Sequence, residues 1–130
     1  MVISNFKMDI MRLEDLVVYQ LAMEIGDEVF AIVDQWDSFY KWTTGKQLME
    51  AADSIASNIS EGYGRYFYKE NKQFQYYSRG SQGETRTWLQ KARNRNLIDE
   101  ETHLHLLSKM DELGKRHNNY IKSIGSSSND

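Results

Sequence analysis

Lys69, Lys72, Arg79, Arg86 and Arg93 recur at helical spacing with Tyr76 among them. Cations in such a row can meet phosphate oxygens, and an aromatic ring between them can stack on a base. Arg65 extends the row upstream. With Phe74 taken as the core direction, the row lies on the far side of its helix, where Gly83 would let a backbone come close. Binding through it would be phosphate-directed, salt-dependent and poor in base readout. A bundle's outer face also carries charge simply to meet water, and that ordinary reading stands beside the first.

Other chemistries find little material. A di-iron bundle needs two Glu-x-x-His pairs and two further inward glutamates, and only Glu100-x-x-His103 fits, at a helix start. His105 reads as exposed and His117 as a core-edge residue. There is no cysteine, hence no thiolate ligand, thiol nucleophile or disulfide. Gly62-x-Gly64 lacks the strand and third glycine of a dinucleotide motif, and no Walker loop, HExxH or nucleophile elbow occurs. The expectation is a protein that is not an enzyme and holds no metal or cofactor.

The net charge of −3 argues against a chain that coats nucleic acid with its whole surface. Residues 1–60 carry four Lys or Arg against ten Asp or Glu, a balance of −6, whereas residues 65–95 carry eight against two, a balance of +6. The basic charge is local.

The elements that must hold this row are helices. The chain has 130 residues and no proline, and its apolar residues recur at three and four. A first helix is expected from Arg12 to Trp36. One of its stripes, Val18 to Trp36, faces the core. A second, with Leu16, Tyr19, Met23 and Phe30, is either sunk in the monomer or a subunit interface, and we read the interface because a small bundle has little depth. A loop at Asp37–Thr43 and a capping box of Thr44 with Gln47 should open the second helix. That helix carries Leu48, Ala51, Ala52, Ile55, Ala56 and Ile59 on one face and should stop at Gly62 or Gly64 with positive φ. The third, Lys69–Arg95, turns Phe74, Tyr77, Ser78, Ser81, Thr85, Trp88, Leu89 and Ala92 inward, and Gly80 and Gly83 suggest a close approach. Asp99 caps the fourth, which buries Leu106, Leu107, Met110, Leu113, His117, Tyr120, Ile121 and Ile124. Short connections give an all-α, antiparallel up-down-up-down four-helix bundle at 12–124, with an N-terminal extension at 1–11 and a flexible tail at 125–130. No signal peptide or membrane span is read, so the expected location is cytoplasmic.

Ala52-x-Ser54-Ile55-x-x-Asn58-Ile59-x-Glu61-Gly62-x-Gly64-Arg65, then Phe74-x-x-Tyr77-x-x-Gly80-Ser81-x-x-Glu84, resemble a known family. It comprises the small four-helix-bundle proteins encoded in intervening sequences of bacterial large-subunit ribosomal RNA genes, also given a ribosomal-protein-like name. The group is similar to the accessory bundle proteins of diversity-generating retroelements. Leu16-x-x-Tyr19-x-x-Ala22 fits more loosely. Two positions depart from the pattern: Tyr66-Phe67-Tyr68 stands where a small polar cap is usual, and Gln82 where an apolar residue is usual. The resemblance implies a ring, typically a homopentamer, with no known catalysis, a role in binding RNA or DNA, and in the retroelement setting a protein partner such as a reverse transcriptase. Asn58, Glu61, Ser81 and Glu84 of the motif should hydrogen-bond across helices or to the glycine-rich turn, with Glu61 and Arg65 spaced for a local ion pair. An interaction scaffold without nucleic acid is the alternative.

Overall fold

The computed structural model describes residues 12–125; the extension read at 1–11 and, beyond Gly125, the tail read at 125–130 lie outside them. Four long helices run alternately up and down: α1 Val17–Val33, α2 Lys46–Tyr63, α3 Tyr68–Asn94 and α4 Glu100–Ser123. Each packs on its neighbours in sequence, and α4 closes the bundle against α1. No helix among the described residues is long and apolar enough to cross a membrane.

The start of α1 differs from expectation. A 3₁₀ turn, Leu13–Asp15, precedes it, and Leu16 is extended at φ −77° and ψ 116°. That kink turns Leu16 into the core, and the Gln20 side-chain amide ties the turn down by donating to the Glu14 carbonyl at 2.7 Å. The loop expected before α2 is mostly helical. A single turn, Ser38–Tyr40, runs into a π turn, Lys41–Gly45, that continues into α2. The capping box is therefore absent. Thr44 is buried and its hydroxyl accepts a 2.7 Å bond from Arg95 Nη1. Gly45 fits here because a Cβ would stand 2.7 Å from Val33 Cγ1.

Glycine stops also fall elsewhere than expected. Gly64 ends α2 in right-handed conformation, at φ −80°. Gly62 is needed for space, since a Cβ would lie 2.6 Å from Gln75 Nε2 and 2.8 Å from the Asn71 carbonyl oxygen. The left-handed stops belong to Asn96, φ 60°, and Gly125, φ 73°. At Asn96 the Leu97 N–H reaches the Ala92 carbonyl and the Asn96 N–H that of Arg93, the Schellman arrangement that satisfies a helix's last carbonyls. Asp99 then caps α4, accepting from the Thr102 N–H at 2.8 Å.

Val18, Ala22, Ile25 and Val29 of α1 meet Leu48, Ala52, Ile55 and Ile59 of α2 and Leu106, Met110 and Leu113 of α4. Burial of each valine, isoleucine, leucine or methionine among them contributes roughly 1.5–3 kcal/mol. Leu107 and Tyr120 sit half-buried at the edge, and Ile121 and Ile124 are buried. On α3 the fully buried apolar residues are Leu89 and Ala92, with Trp88 packed half-buried against the core as expected, and the rest of the buried face is Gln75, Ser78, Ser81, Gln82 and Thr85. Tyr77, expected inside, is 51% exposed, and Phe74 is half-buried. The core side of α3 is thus rotated from the Phe74 direction by roughly half of the 100° step between successive residues.

Candidate nucleic-acid interface

That rotation moves the cationic row. Arg79 and Arg86 lie on the α4 flank of α3, not on the side opposite the core. Arg79 Nη2 donates to Asn118 Oδ1 at 2.6 Å and Arg86 Nη2 to Asp111 Oδ1 at 2.7 Å. The antiparallel α4 brings Asp111, Lys115, Asn118 and Lys122 up at spacings of three and four, which share one face of a helix. The basic surface is therefore two helices wide. Reading α3 alone missed Lys115, Asn118 and Lys122, although their spacing and the antiparallel topology together point to them.

The cations are not equivalent. Arg65 is held by Glu61 at 2.6 Å and lies over the Phe74 ring at 4.6 Å, while Arg86 is neutralised by Asp111. Among the described residues Lys69, Lys72, Arg79, Arg93, Lys115 and Lys122 pair with no carboxylate. Lys69, Arg79, Lys115 and Lys122 are exposed, whereas Lys72 and Arg93 are half-buried. Arg93 stands apart in the last turn of α3.

Where the two helices diverge, Tyr76, Arg79, Asn118, Ile121 and Lys122 line an open groove of about 590 Å³. The Arg79 guanidinium sits 5.3 Å from the Tyr76 ring centre, and Tyr76 is 46% exposed. Gly83 and Gly80 have nothing within 4 Å of a would-be Cβ, so the close approach suggested for them does not occur within the chain.

A buried polar chain fixes the floor. Gln82 Nε2 donates to His117 Nδ1 at 2.9 Å, His117 Nε2 donates to Gln75 Oε1 at 2.8 Å, and Gln75 Nε2 donates to the Ile59 carbonyl at 3.1 Å and to Asn71 Oδ1 at 2.9 Å. Ser78 adds a 2.9 Å bond to the Ile55 carbonyl. This order requires a neutral imidazole with its proton on Nε2. Burial, helped by the nearby Arg79 charge, pushes the His117 pKa down to about 4. His117 lies inside the core, not at its edge. Gln82, which departs from the apolar pattern, thus completes a network that spans α2, α3 and α4.

The motif's polar residues do not bond between helices as expected. The Asn58 amide donates back to the Ser54 carbonyl at 2.9 Å, Glu61 forms its local pair, Glu84 is exposed, and Ser81 is buried with its carbonyl accepting from Thr85 Oγ1.

On the opposite side, α1 and α2 present an apolar surface. Met23 is 44% exposed, Phe30 55% and Trp42 72%. Phe30, Val33, Trp42 and Met49 line a groove of about 390 Å³. Leu16 is a correction to the expected interface: at 8% exposure its own chain covers it. Tyr19 is half-buried against the core. In the next groove along, Asp53 lies near Asp27, and burial and that neighbour raise its pKa. Tyr66, Phe67 and Tyr68 are exposed at the α2–α3 corner, and Tyr77 is exposed further along α3 with its ring edge-on to Phe74.

Among the described residues no three His, Asp or Glu groups come together as a metal site. Glu100 is exposed, and His103 is buried with no hydrogen-bond partner for Nε2. His105 is exposed and bonds Glu28 at 2.8 Å, and Lys109 bridges Glu24 and Glu28. Its bonds from Lys109 and His105 outweigh partial burial and lower the Glu28 pKa.

Compared with known proteins, residues 14–119 match the family model described as 23S rRNA-intervening sequence protein. The fold is similar to the crystal structure of a protein of unknown function from the S23 ribosomal protein family of Bacteroides thetaiotaomicron. The TM-score is 0.77 at 19% identity, over 82% of this chain and 96% of that one. None of the curated proteins matches.

Proposed function

Since the chain belongs to the 23S rRNA-intervening sequence protein family, we propose that it is a non-enzymatic, cytoplasmic, homo-oligomeric bundle that binds RNA or DNA electrostatically through the α3–α4 strip. The observation that carries this reading is the group of carboxylate-free cations, Lys69, Lys72, Arg79, Lys115 and Lys122, gathered on two adjacent helices of an acidic protein. A charge already paired has little left for a phosphate, so Arg65 and Arg86 contribute less than their position suggested. The opposite side of the bundle is suited to assembly. Exposed Met23, Phe30 and Trp42 form the kind of surface that associates, and a closed ring, such as the pentamer that the resemblance implies, would repeat the strip with symmetry.

The same apolar surfaces favour the second reading, a scaffold whose ring docks a partner protein, for example a reverse transcriptase. Light scattering followed by RNA and DNA titrations on one purified sample separates the two. A multi-subunit species that binds at low salt and releases at high salt supports the first. A multi-subunit species that ignores both polymers supports the scaffold.

A further inference from the structure

We propose that the groove between Tyr76 and Asn118 receives an unpaired base, so that the polymer recognised is single-stranded. This rests on the nucleic-acid reading and narrows it. The groove offers three things that phosphate alone does not use. The Tyr76 ring is open to solvent over much of its area. The Arg79 guanidinium lies against that ring at 5.3 Å and is steadied at its other end by the 2.6 Å bond to Asn118, so a planar platform of tyrosine and arginine stands ready without ordering a free side chain. That bond uses only the Asn118 oxygen and leaves the amide hydrogens of this groove-lining residue available to a ligand. Ile121 gives the groove an apolar wall.

The surrounding charges suit a strand threaded past this platform. Lys115 and Lys122 stand seven residues apart on α4, roughly 10 Å at 1.5 Å per residue, on either side of Asn118, and Lys72 lies one turn beyond Tyr76 on α3. Phosphates flanking an inserted base would meet ammonium groups in both directions. Stacked pairs in a duplex hide their faces, so only an unstacked nucleotide can use the Tyr76–Arg79 platform. The buried Gln82–His117–Gln75 chain ties α3 to α4 and so fixes the two helices that carry the groove.

The test is fluorescence anisotropy at low salt with a labelled single-stranded RNA of mixed sequence and with the same strand annealed to its complement. Preference for the single strand by about tenfold is expected from one stacked base. Tyr76→Ala should remove that preference, lowering single-strand affinity by about tenfold while duplex affinity and the salt slope stay as in the wild type. Tyr76→Phe, which keeps the ring, should retain the preference. Tyr76 is exposed, and unchanged helicity by circular dichroism identifies a variant that still folds. Equal affinity for both forms, unaltered by Tyr76→Ala, would overturn this inference and leave phosphate-directed binding standing. Failure of the wild type to bind either form would overturn the nucleic-acid reading and this inference with it.

Discussion

The side-chain amide of Gln82 donates to Nδ1 of His117 from 2.9 Å, both residues being almost wholly buried and thirty-five positions apart. Because Gln75 accepts from the opposite ring nitrogen, the imidazole is locked in one neutral tautomer. A second proton would have to displace the Gln82 N–H and place a cation in the core.

Stability should therefore fall in acid. The His117 pKa is about 4 in the folded chain against 6.5 for the free side chain. The unfolded chain then binds more protons between those values, and stability is full above pH 6.5 and is lost as pH falls to about 4. At about 1.4 kcal/mol per unit the loss approaches 3 kcal/mol. Urea denaturation across pH 4–7 measures it. Arg79→Gln, which removes the neighbouring charge, should raise the His117 pKa and narrow the window, as read by NMR titration of the ring.

Four glycines of similar appearance should respond in two ways. Gly62→Ala would force a methyl group to within 2.8 Å of the Asn71 carbonyl and into the Gln75 amide; overpacking of this kind costs about 1–3 kcal/mol. Gly80→Ala and Gly83→Ala meet nothing within 4 Å, and Gly64→Ala meets only ordinary contacts. The first two lie inside α3 and should gain about 1 kcal/mol each from helix propensity. Thermal melts of the four variants decide it.

With the α1–α2 face as the proposed subunit interface, Phe30→Glu should yield folded single chains, because Phe30 is 55% exposed on α1. Leu16→Glu, on the same sequence stripe but buried, should instead destabilise the fold by several kcal/mol. Light scattering with circular dichroism distinguishes the two. An unchanged oligomer in Phe30→Glu would reject the α1–α2 face as the interface.

The helices and their order were legible because three-and-four periodicity without proline leaves few alternatives, and Asp99 announced its cap through residue type. The α3 face was misread because its buried side is polar. Gln75 and Gln82 look like surface residues until His117 is brought against them, while Tyr77, which looks like core, stands in water. The π turn at Lys41–Gly45 was hidden because nothing in its residue types marks it, and the partner that its Thr44 meets, Arg95, is fifty-one positions away. Of the site, α3 supplied its half to a reading of spacing, but Asn118 and Lys122 became relevant only once α4 ran antiparallel beside it. The Glu61–Arg65 pair was legible from its spacing of four, whereas the Arg86–Asp111 pair became visible only once α4 lay beside α3.

The most direct measurement is the salt dependence of RNA affinity for the wild type, for Lys72→Glu/Arg79→Glu/Lys122→Glu, and for Arg65→Gln/Arg86→Gln. Affinity should fall steeply with salt in the wild type, binding should be lost in the first variant, and the second should keep a slope close to the wild type, because those two cations are already paired. Charge-reversed protein that keeps its helicity and oligomer size and still binds RNA with the wild-type slope would contradict it.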